Sequence, residues 1–508
     1  MPNDTLRRSL LATLLVHGLA CSSNGADPVA GAGGSRGEGG AIGSGGRSTA
    51  AGGATGQGGS VVGSGGATGV GGATGGRSGS GGLSGTGGAA PGAGGGGGAF
   101  VGTKAPGTAQ AGDITINPAT TYQTMDGFGI ADVWQSRNNS TQTLLTLLFD
   151  PVNGIGLTLL RIGIDGTSGS PRIMGDAAFV DGPAIVKYGG KVWAAPWSPP
   201  ASFKDNNNIN NGGHLLANQY EAWASVLAAF PAYYKQQSGV DLYALSPQNE
   251  PDFTASYQSC IYDKTQMNNF IKVLGPKLAA LNPPVHVLAA EPDVWNNLWG
   301  GDAYGTAIVN DPTVSSLVTV IATHDYGSNV SSTTRPAPPA GLKQRLWETE
   351  IAYTAGASIG AGLDTARGIY AAVTGGGANG WLYWWTQAFL DGGSATNPPK
   401  RVFAMGNFSK FVRPGYVRVG VTGAPSSVQI AAFLNPSDGT LAMIALNSGT
   451  SAQQVSIFVA GSGWPAMVTP YVTSASSNLA AGAAASVTGA RFSGSLAAQS
   501  VTTFVGRP

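Results

Sequence analysis

Between residues 124 and 387, eight short apolar or β-branched runs recur, and nearly every one ends in polar or aromatic residues. They are Thr124–Asp132, Leu157–Asp165, Lys191–Pro200, Leu242–Pro251, Val285–Asp293, Val318–Tyr326, Arg345–Ala352 and Gly380–Gln387. Runs of this length, bounded by turn residues, read as strands. Stretches of helical spacing separate several of them, among them Tyr220–Gln236, Thr265–Leu281 and Leu363–Val373. Strands alternating with helices imply a parallel sheet, and eight units in about 260 residues predict an α/β fold, a (β/α)8 TIM barrel. That architecture carries its chemistry on the C-terminal ends of the strands. Here those ends supply Asp165, Trp197, Asn249, Glu250, Glu291, His324, Tyr326, Glu350, Trp384 and Trp385.

After Phe408 the pattern changes. Tyr416–Val421, Val428–Leu434, Leu441–Leu446, Val455–Val459, Met467–Val472 and Ser500–Val505 are short strand-like runs with Gly, Ser and Asn turns and no helical spacing between them. They predict an antiparallel β-sandwich over residues 409–508, a side domain to the barrel at 124–408. Asp113–Thr120 is strand-like too, so residues 113–123 are expected to join the sandwich from the other end of the chain.

Of the 81 glycines in the 508-residue chain, 38 fall in residues 22–112, in repeats such as Gly-Gly-Ala-Thr-Gly and Gly-Ser-Gly-Gly. A stretch so poor in bulky apolar side chains cannot offset its ordering entropy, and a disordered linker with an end-to-end distance of roughly 50 Å is expected. Residues 1–21 read as an export signal: Arg7 and Arg8, an apolar run from Leu10 to Val16, then small residues before Cys21. A cysteine directly after that region resembles the lipid-attachment residue of bacterial lipoproteins. The protein is therefore expected outside the cell, secreted or held at the bacterial surface by lipid on Cys21, and any membrane contact runs through that lipid. Of the two cysteines this leaves Cys260 without a disulfide partner. A formal charge of +1, from 27 Lys and Arg against 26 Asp and Glu, excludes a strongly basic nucleic-acid binder.

Glu250, in SPQNEP, and Glu350, in LWETEIA, end the fourth and seventh barrel strands, 100 residues apart. Hydrolysis of a glycosidic bond needs two carboxyl groups flanking it, one as acid/base and one as nucleophile or base. Asn249, beside the first, is placed to donate to a sugar 2-hydroxyl. Trp134, Trp197, Trp384 and Trp385 sit at or just past strand ends, where indole rings suit the apolar faces of pyranoses. Side-chain alternation assigns one of the adjacent Trp384 and Trp385 to core packing. It also puts Glu348 on the same side as Glu350, one layer deeper, where a buried carboxylate needs a partner; Arg161 on the second strand is the expected one. His324 and Tyr326 share a face of the sixth strand, from which the imidazole reaches the nucleophile or the sugar. No His, Asp and Glu cluster has zinc spacing, and no phosphate-binding glycine fingerprint follows a strand. Neither a metal nor a cofactor is expected.

These motifs resemble glycoside hydrolase family 30. The matching segments are DGFG at 126–129, PWSPPASFK at 196–204, SPQNEPD at 246–252, THDYG at 323–327 and LWETE at 346–350. KRVFAMGNFSKFVRPGYVRV at 400–419 and LAAQSVTTFV at 496–505 are similar to the bacterial xylanase branch of that family, which cuts glucuronoxylan. The likeness runs from about Asp113 to Pro508. It implies a retaining enzyme built from a (β/α)8 barrel and a β-sandwich, with Glu250 as acid/base and Glu350 as nucleophile. By the same resemblance, Trp197, Asn249, His324 and Tyr326 line the subsite beside the scissile bond, and Tyr353 helps hold a glucuronic acid branch.

Two departures bear on the substrate. The glucuronoxylan branch follows its Trp pair with arginines that grip the branch carboxylate, whereas here Trp385 is followed by Thr386, Gln387, Ala388, Phe389 and Leu390. Neither Gln nor Phe replaces a bidentate guanidinium. Glu348 stands where those members usually have an apolar residue. The expectation is a monomeric endo-β-1,4-xylanase with relaxed glucuronate dependence, acting on a xylan-like polysaccharide. The alternatives are an endo-β-1,6-galactanase or β-1,6-glucanase, activities also found in the family. From another class, the alternative is a non-catalytic glycan-binding protein at the cell surface.

Overall fold

The computed structural model describes residues 103–329, 332, 334–353, 356–391 and 393–508; the export signal with Cys21 and the glycine-rich run up to residue 102 lie outside these. The eight apolar runs become β1 (Gly127–Asp132), β2 (Leu159–Ile164), β3 (Lys191–Pro196), β4 (Ala244–Leu245), β5 (His286–Ala290), β6 (Val318–His324), β7 (Arg345–Glu350) and β8 (Gly380–Tyr383). Each pairs in parallel with the next, and β8 pairs with β1 to close the barrel. Every residue of β1 and β2 is buried, because parallel strands are covered on both faces.

The main outer helices are α1 (Gln142–Phe149), α2 (Ala178–Val186), α3 (Tyr220–Ser238), α4 (Lys264–Ala279), α5 (Tyr304–Asn310), α6 (Pro312–Leu317), α7 (Ile359–Tyr370) and α8 (Lys400–Ser409). Local chemistry sets their ends. Asp263 caps α4 by accepting from the N–H groups of Thr265 and Gln266, both at 2.8 Å, and Gly239, at φ 75°, terminates α3. Among the described residues no helix lies between β6 and β7. That connection is pinned instead by a buried ion pair, in which Arg335 donates to both carboxylate oxygens of Asp325 at 2.7–3.0 Å. Among the described residues no helix is long and apolar enough to cross a membrane.

The C-terminal domain is a separate, mostly antiparallel sheet of ten strands that folds over its own core. The strand Asp113–Thr124 lies within it, antiparallel to Val417–Thr422 and parallel to Gln453–Val459. One strand, Arg491–Leu496, escapes the sequence pattern because its only large apolar residues are Phe492 and Leu496; Gly494 between them leaves room for the ring of Phe504. Contacts with the sheet domain also begin before Asp113. Lys104 Nζ donates to the carbonyl of Trp464 at 2.9 Å, and Trp464 Nε1 to the carbonyl of Ala105 at 3.1 Å. A linker boundary at 112, drawn from glycine content, is therefore too late, since composition does not register one anchoring pair.

Val428–Leu434 and Leu441–Asn447 are buried on both faces, in two different cores. Ile430, Ala432, Met443 and Ala445 fill the sandwich, whereas Ala431, Phe433, Ala442, Ile444 and Leu446 join the core of the barrel domain. On the barrel side, Asn407 of α8 donates to Tyr471 O and Thr503 Oγ1, both at 2.9 Å.

Candidate active site

The barrel strands bring Arg161, Glu250, Glu291, His324 and Glu350 together at one end, each no more than 5 % exposed. β4 has only two ladder residues, so the segment after it is placed by its neighbours. The N–H of Asn249 donates to Pro196 O at 2.9 Å, and that of Glu250 to Glu291 O at 3.1 Å. Glu250 and Glu291 both adopt positive φ, 45° and 61°. Such a backbone costs about 1–3 kcal/mol and persists only where the surroundings impose it. Each residue opens a Glu-Pro-Asp tripeptide, at 250–252 and 291–293. The two tripeptides are tied where the N–H of Asp293 donates to Asp252 Oδ1 at 2.8 Å. This repeat is the sequence signal that marks Glu291, which the strand pattern alone leaves at the rim without a role.

Arg161 donates through Nη1 to Glu350 Oε2 and through Nη2 to Asn249 Oδ1. The same Nη2 lies 3.0 Å from Glu291 Oε1. Tyr326 donates its hydroxyl to the other oxygen of Glu350, Oε1, at 3.0 Å. His324 faces three carboxyl groups: Nδ1 is 3.2 Å from Glu250 Oε1, and Nε2 is 3.5 Å from Glu291 Oε1 and 3.7 Å from Glu350 Oε2. Burial alone would lower the imidazole pKa, but Glu350, Glu250 and Glu291 overrule it and push it up to about 10. Burial also acts to raise Glu291, yet Arg161 and His324 hold it below its ordinary range. Glu350 goes the other way. Burial, opposed by His324 and Arg161 and reinforced by Glu250, leaves its carboxyl above that range.

Glu348 does not pair with Arg161. It is fully buried, and it accepts from the N–H of Glu350 at 3.0 Å through Oε1 and from that of Leu382 at 3.4 Å through Oε2. Burial, with Asp325 adding to it, pushes this carboxyl well above the usual range. Simple alternation fails here because the β6–β7 register slips by a residue: Thr323 faces Glu348 but His324 faces Glu350. Tyr353 is also outside the cleft. Its hydroxyl packs where a side chain on Gly368 of α7 would stand, with no hydrogen-bond partner among the described residues.

Trp134, Trp197, Trp384 and Trp385 form one cluster, with ring centroids 5.5, 6.2 and 6.5 Å from Trp134 in turn. Both members of the adjacent pair belong to it, and both are also buried in the barrel domain's hydrophobic core, where alternation had assigned only one. β8 ends at Tyr383 and Trp385 has φ 28°, so alternation has already stopped. Trp134 is the open member, 37 % exposed, while the other three are buried. The guanidinium of Arg161 lies 4.7 Å from the Trp197 ring centroid, so the cluster also covers the ion network. Tyr257, on the loop after β4, adds its ring edge-on to Trp134 at 6.1 Å; no strand end flags it in the sequence. Cys260 is buried away from the cluster's chemistry, its thiol pushed up to about 12 by burial.

The result is a pair of carboxyl groups, Glu250 and Glu350, with oxygens within 4.8 Å of one another beside an aromatic platform. Residues 184–360 match the glycosyl hydrolase family 30 TIM-barrel domain, and residues 415–504 the glycosyl hydrolase family 30 beta sandwich domain. The chain is 30 % identical over 424 residues to the glucuronoxylanase XynC of Bacillus subtilis (strain 168), across 80 % of this chain and 94 % of that protein. The glycoside hydrolase family 30 subfamily 8 xylanase Xyn30A of Clostridium acetobutylicum superposes with a TM-score of 0.69 at 32 % identity, covering 78 % of this chain and 100 % of that one. A GH30 endoxylanase of Clostridium papyrosolvens C71 gives a TM-score of 0.65 at 29 % identity, covering 78 % and 100 %. With both domains matched and a relative aligned over nearly its whole length, the chain belongs to glycoside hydrolase family 30.

Proposed function

We propose that the protein is a retaining endo-β-1,4-xylanase, with Glu250 as acid/base and Glu350 as nucleophile. The observation that carries this reading is the approach of their oxygens to within 4.8 Å. Retaining glycosidases hold their two carboxyl groups about 5–5.5 Å apart, inverting ones about 6.5–9.5 Å, and a nearest-oxygen approach this short favours the retaining arrangement. The backbone preference rests on the relatives, a glucuronoxylanase, a subfamily 8 xylanase and an endoxylanase.

In the first step an oxygen of Glu350 attacks the anomeric carbon, the glycosidic C–O bond breaks, and Glu250 gives its proton to the departing oxygen. Water then passes a proton to Glu250 and attacks the same carbon, releasing Glu350 as a carboxylate with the anomeric configuration restored. Arg161 and Tyr326 each hold a different oxygen of Glu350, fixing its line of attack and stabilising it as it leaves. Because Arg161 occupies Oδ1 of Asn249, the NH2 group of that amide is the donor left for the sugar 2-hydroxyl. Trp134 offers the open stacking face.

The reading includes a relaxed need for glucuronate. Thr386–Leu390 is a short helix without a cationic side chain, and Gln387 Nε2 is spent on Gln135 Oε1 at 3.0 Å. Tyr353, turned to α7, supports the same view. The protein acts as a monomer on a xylan-like polysaccharide outside the cell, secreted or held through lipid on Cys21. Incubation with arabinoxylan, glucuronoxylan, β-1,6-galactan and β-1,6-glucan, with the products sized, tests it. Oligosaccharides from both xylans are expected. Product from a β-1,6-linked polymer alone overturns the backbone assignment, and binding without any product makes the chain a glycan-binding protein.

A further inference from the structure

We infer that Glu291 is a positioning residue that keeps one proton on the Glu250–Glu350 pair by balancing the charges of Arg161 and His324. The inference rests on the reading of that pair as catalytic and adds a third carboxylate to it.

The charged groups facing the site come from three strands and three loops. β2 supplies Arg161, β6 supplies His324, β7 supplies Glu350 and Glu348, and Glu291 directly follows β5. Glu250 follows β4, and Asp252 faces it from the same loop, bonded to Asn297 Nδ2 at 2.7 Å and to the N–H of Asp293 at 2.8 Å. Asp325 follows β6 and is cancelled by Arg335. Glu348 is fully buried without a cation on its oxygens, and burial favours its neutral form against the two backbone N–H donors. With Asp252 set aside, since burial pushes its carboxyl up and neutral donors hold it, two cations, Arg161 and His324, meet three carboxyl groups, Glu250, Glu291 and Glu350. One proton shared among the three makes the set neutral.

Glu291 does not hold that proton. Both cations converge on its Oε1, Arg161 Nη2 at 3.0 Å and His324 Nε2 at 3.5 Å, and it is fully buried, so its negative charge is compensated twice. The proton is thereby left to Glu250 and Glu350, the pair that needs one acid and one carboxylate to begin turnover. The same contacts orient both cations. Arg161 Nη2 serves Glu291 and Asn249 together, and His324 turns Nε2 to Glu291 while Nδ1 meets Glu250. Without the charge on Glu291, two cations would face one remaining carboxylate, and the pair would surrender its proton at lower pH. A residue that merely packs would lower activity and leave the pH profile where it is.

The test uses the full chain with Glu291→Gln and Glu291→Asp, measuring kcat/KM against pH on whichever polysaccharide of the panel is cut. For Glu291→Gln both limbs of the profile are expected to move to lower pH by about one unit or more, with a loss of at least about ten-fold at neutral pH. Glu291→Asp, which keeps the charge, is expected to hold both limbs within about 0.3 unit of the parent. Limbs of Glu291→Gln that stay in place or move to higher pH overturn the inference. Should Glu291→Gln not fold, nitrogen NMR of the parent decides: a His324 ring protonated on both nitrogens at pH 8 supports the charge balance, and a neutral ring overturns it. Glu250→Gln and Glu350→Gln run alongside. If either keeps parental turnover, the catalytic pair itself is wrong; if both are dead and Glu291→Gln leaves the profile unmoved, this inference alone fails.

Discussion

The hydroxyl of Tyr326 donates to Oε1 of Glu350 at 3.0 Å, the oxygen that Arg161 leaves open. One donor follows β6 and the other lies on β2, so the carboxylate is gripped from opposite sides of the barrel. A hydrogen bond to a charged group is worth about 1.5–3 kcal/mol. Tyr326→Phe should lower kcat by about 10–100-fold with little change in KM. Steady-state kinetics on the cleaved polysaccharide reads this directly. A loss confined to KM would place the hydroxyl on the sugar instead.

Glu350→Gln should abolish turnover, whereas Glu348→Gln should keep a measurable part of it. The amide at 348 retains one acceptor for the two N–H groups of Glu350 and Leu382, so the expected cost is about 1–3 kcal/mol of stability rather than the loss of a reacting group. Paired activity assays and thermal melts check both halves, and an inactive but stable Glu348→Gln would reverse the assignment.

Tyr353→Phe should leave activity on glucuronoxylan unchanged. Its hydroxyl is buried against Gly368 with no hydrogen-bond partner among the described residues, so removing it should be neutral or raise stability by about 1 kcal/mol. A specific loss on glucuronoxylan, with arabinoxylan unaffected, would restore the branch contact that family resemblance implies.

His324 predicts a pH dependence of stability. Its pKa in the fold is pushed up to about 10 by Glu350, Glu250 and Glu291 against the effect of burial, whereas an unfolded imidazole titrates near 6.5. A raised pKa adds stability that is complete below about 6.5 and is lost as pH climbs through about 10. The Tm of the parent should therefore fall between pH 7 and 10 more steeply than that of His324→Gln. Parallel curves for the two proteins would show that the ring is neutral in the fold.

The barrel is legible in the sequence because parallel strands buried on both faces leave unbroken apolar runs, and because their polar ends fall on one side. Glu250, Asn249, Glu350, His324, Tyr326 and the four tryptophans could be gathered at one rim on that argument, and the structure brings them together. Alternation then misleads wherever the backbone leaves the ladder. The register slip before His324 turns Glu348 away from Arg161, and positive φ at Trp385 keeps both members of the Trp pair in the cluster. Tyr353 lies past the end of β7, where no period constrains its direction. Glu291 was visible as a strand-end carboxylate, but its partners come from β2 and β6, four barrel units apart in the chain.

The strand Asp113–Thr124 is made early and yet lies between Val417–Thr422 and Gln453–Val459. Ser456, whose hydroxyl donates to Asp113 Oδ1, follows it by 343 residues. At synthesis rates of about 5–20 residues per second, that separation is a wait of roughly 17–70 s. For most of that interval the strand has neither flanking neighbour. Among the described residues, the first strand to leave the ribosome is thus among the last to be paired, and a barrel completed in the meantime stands unsealed along the face that Phe433 and Ile444 later cover.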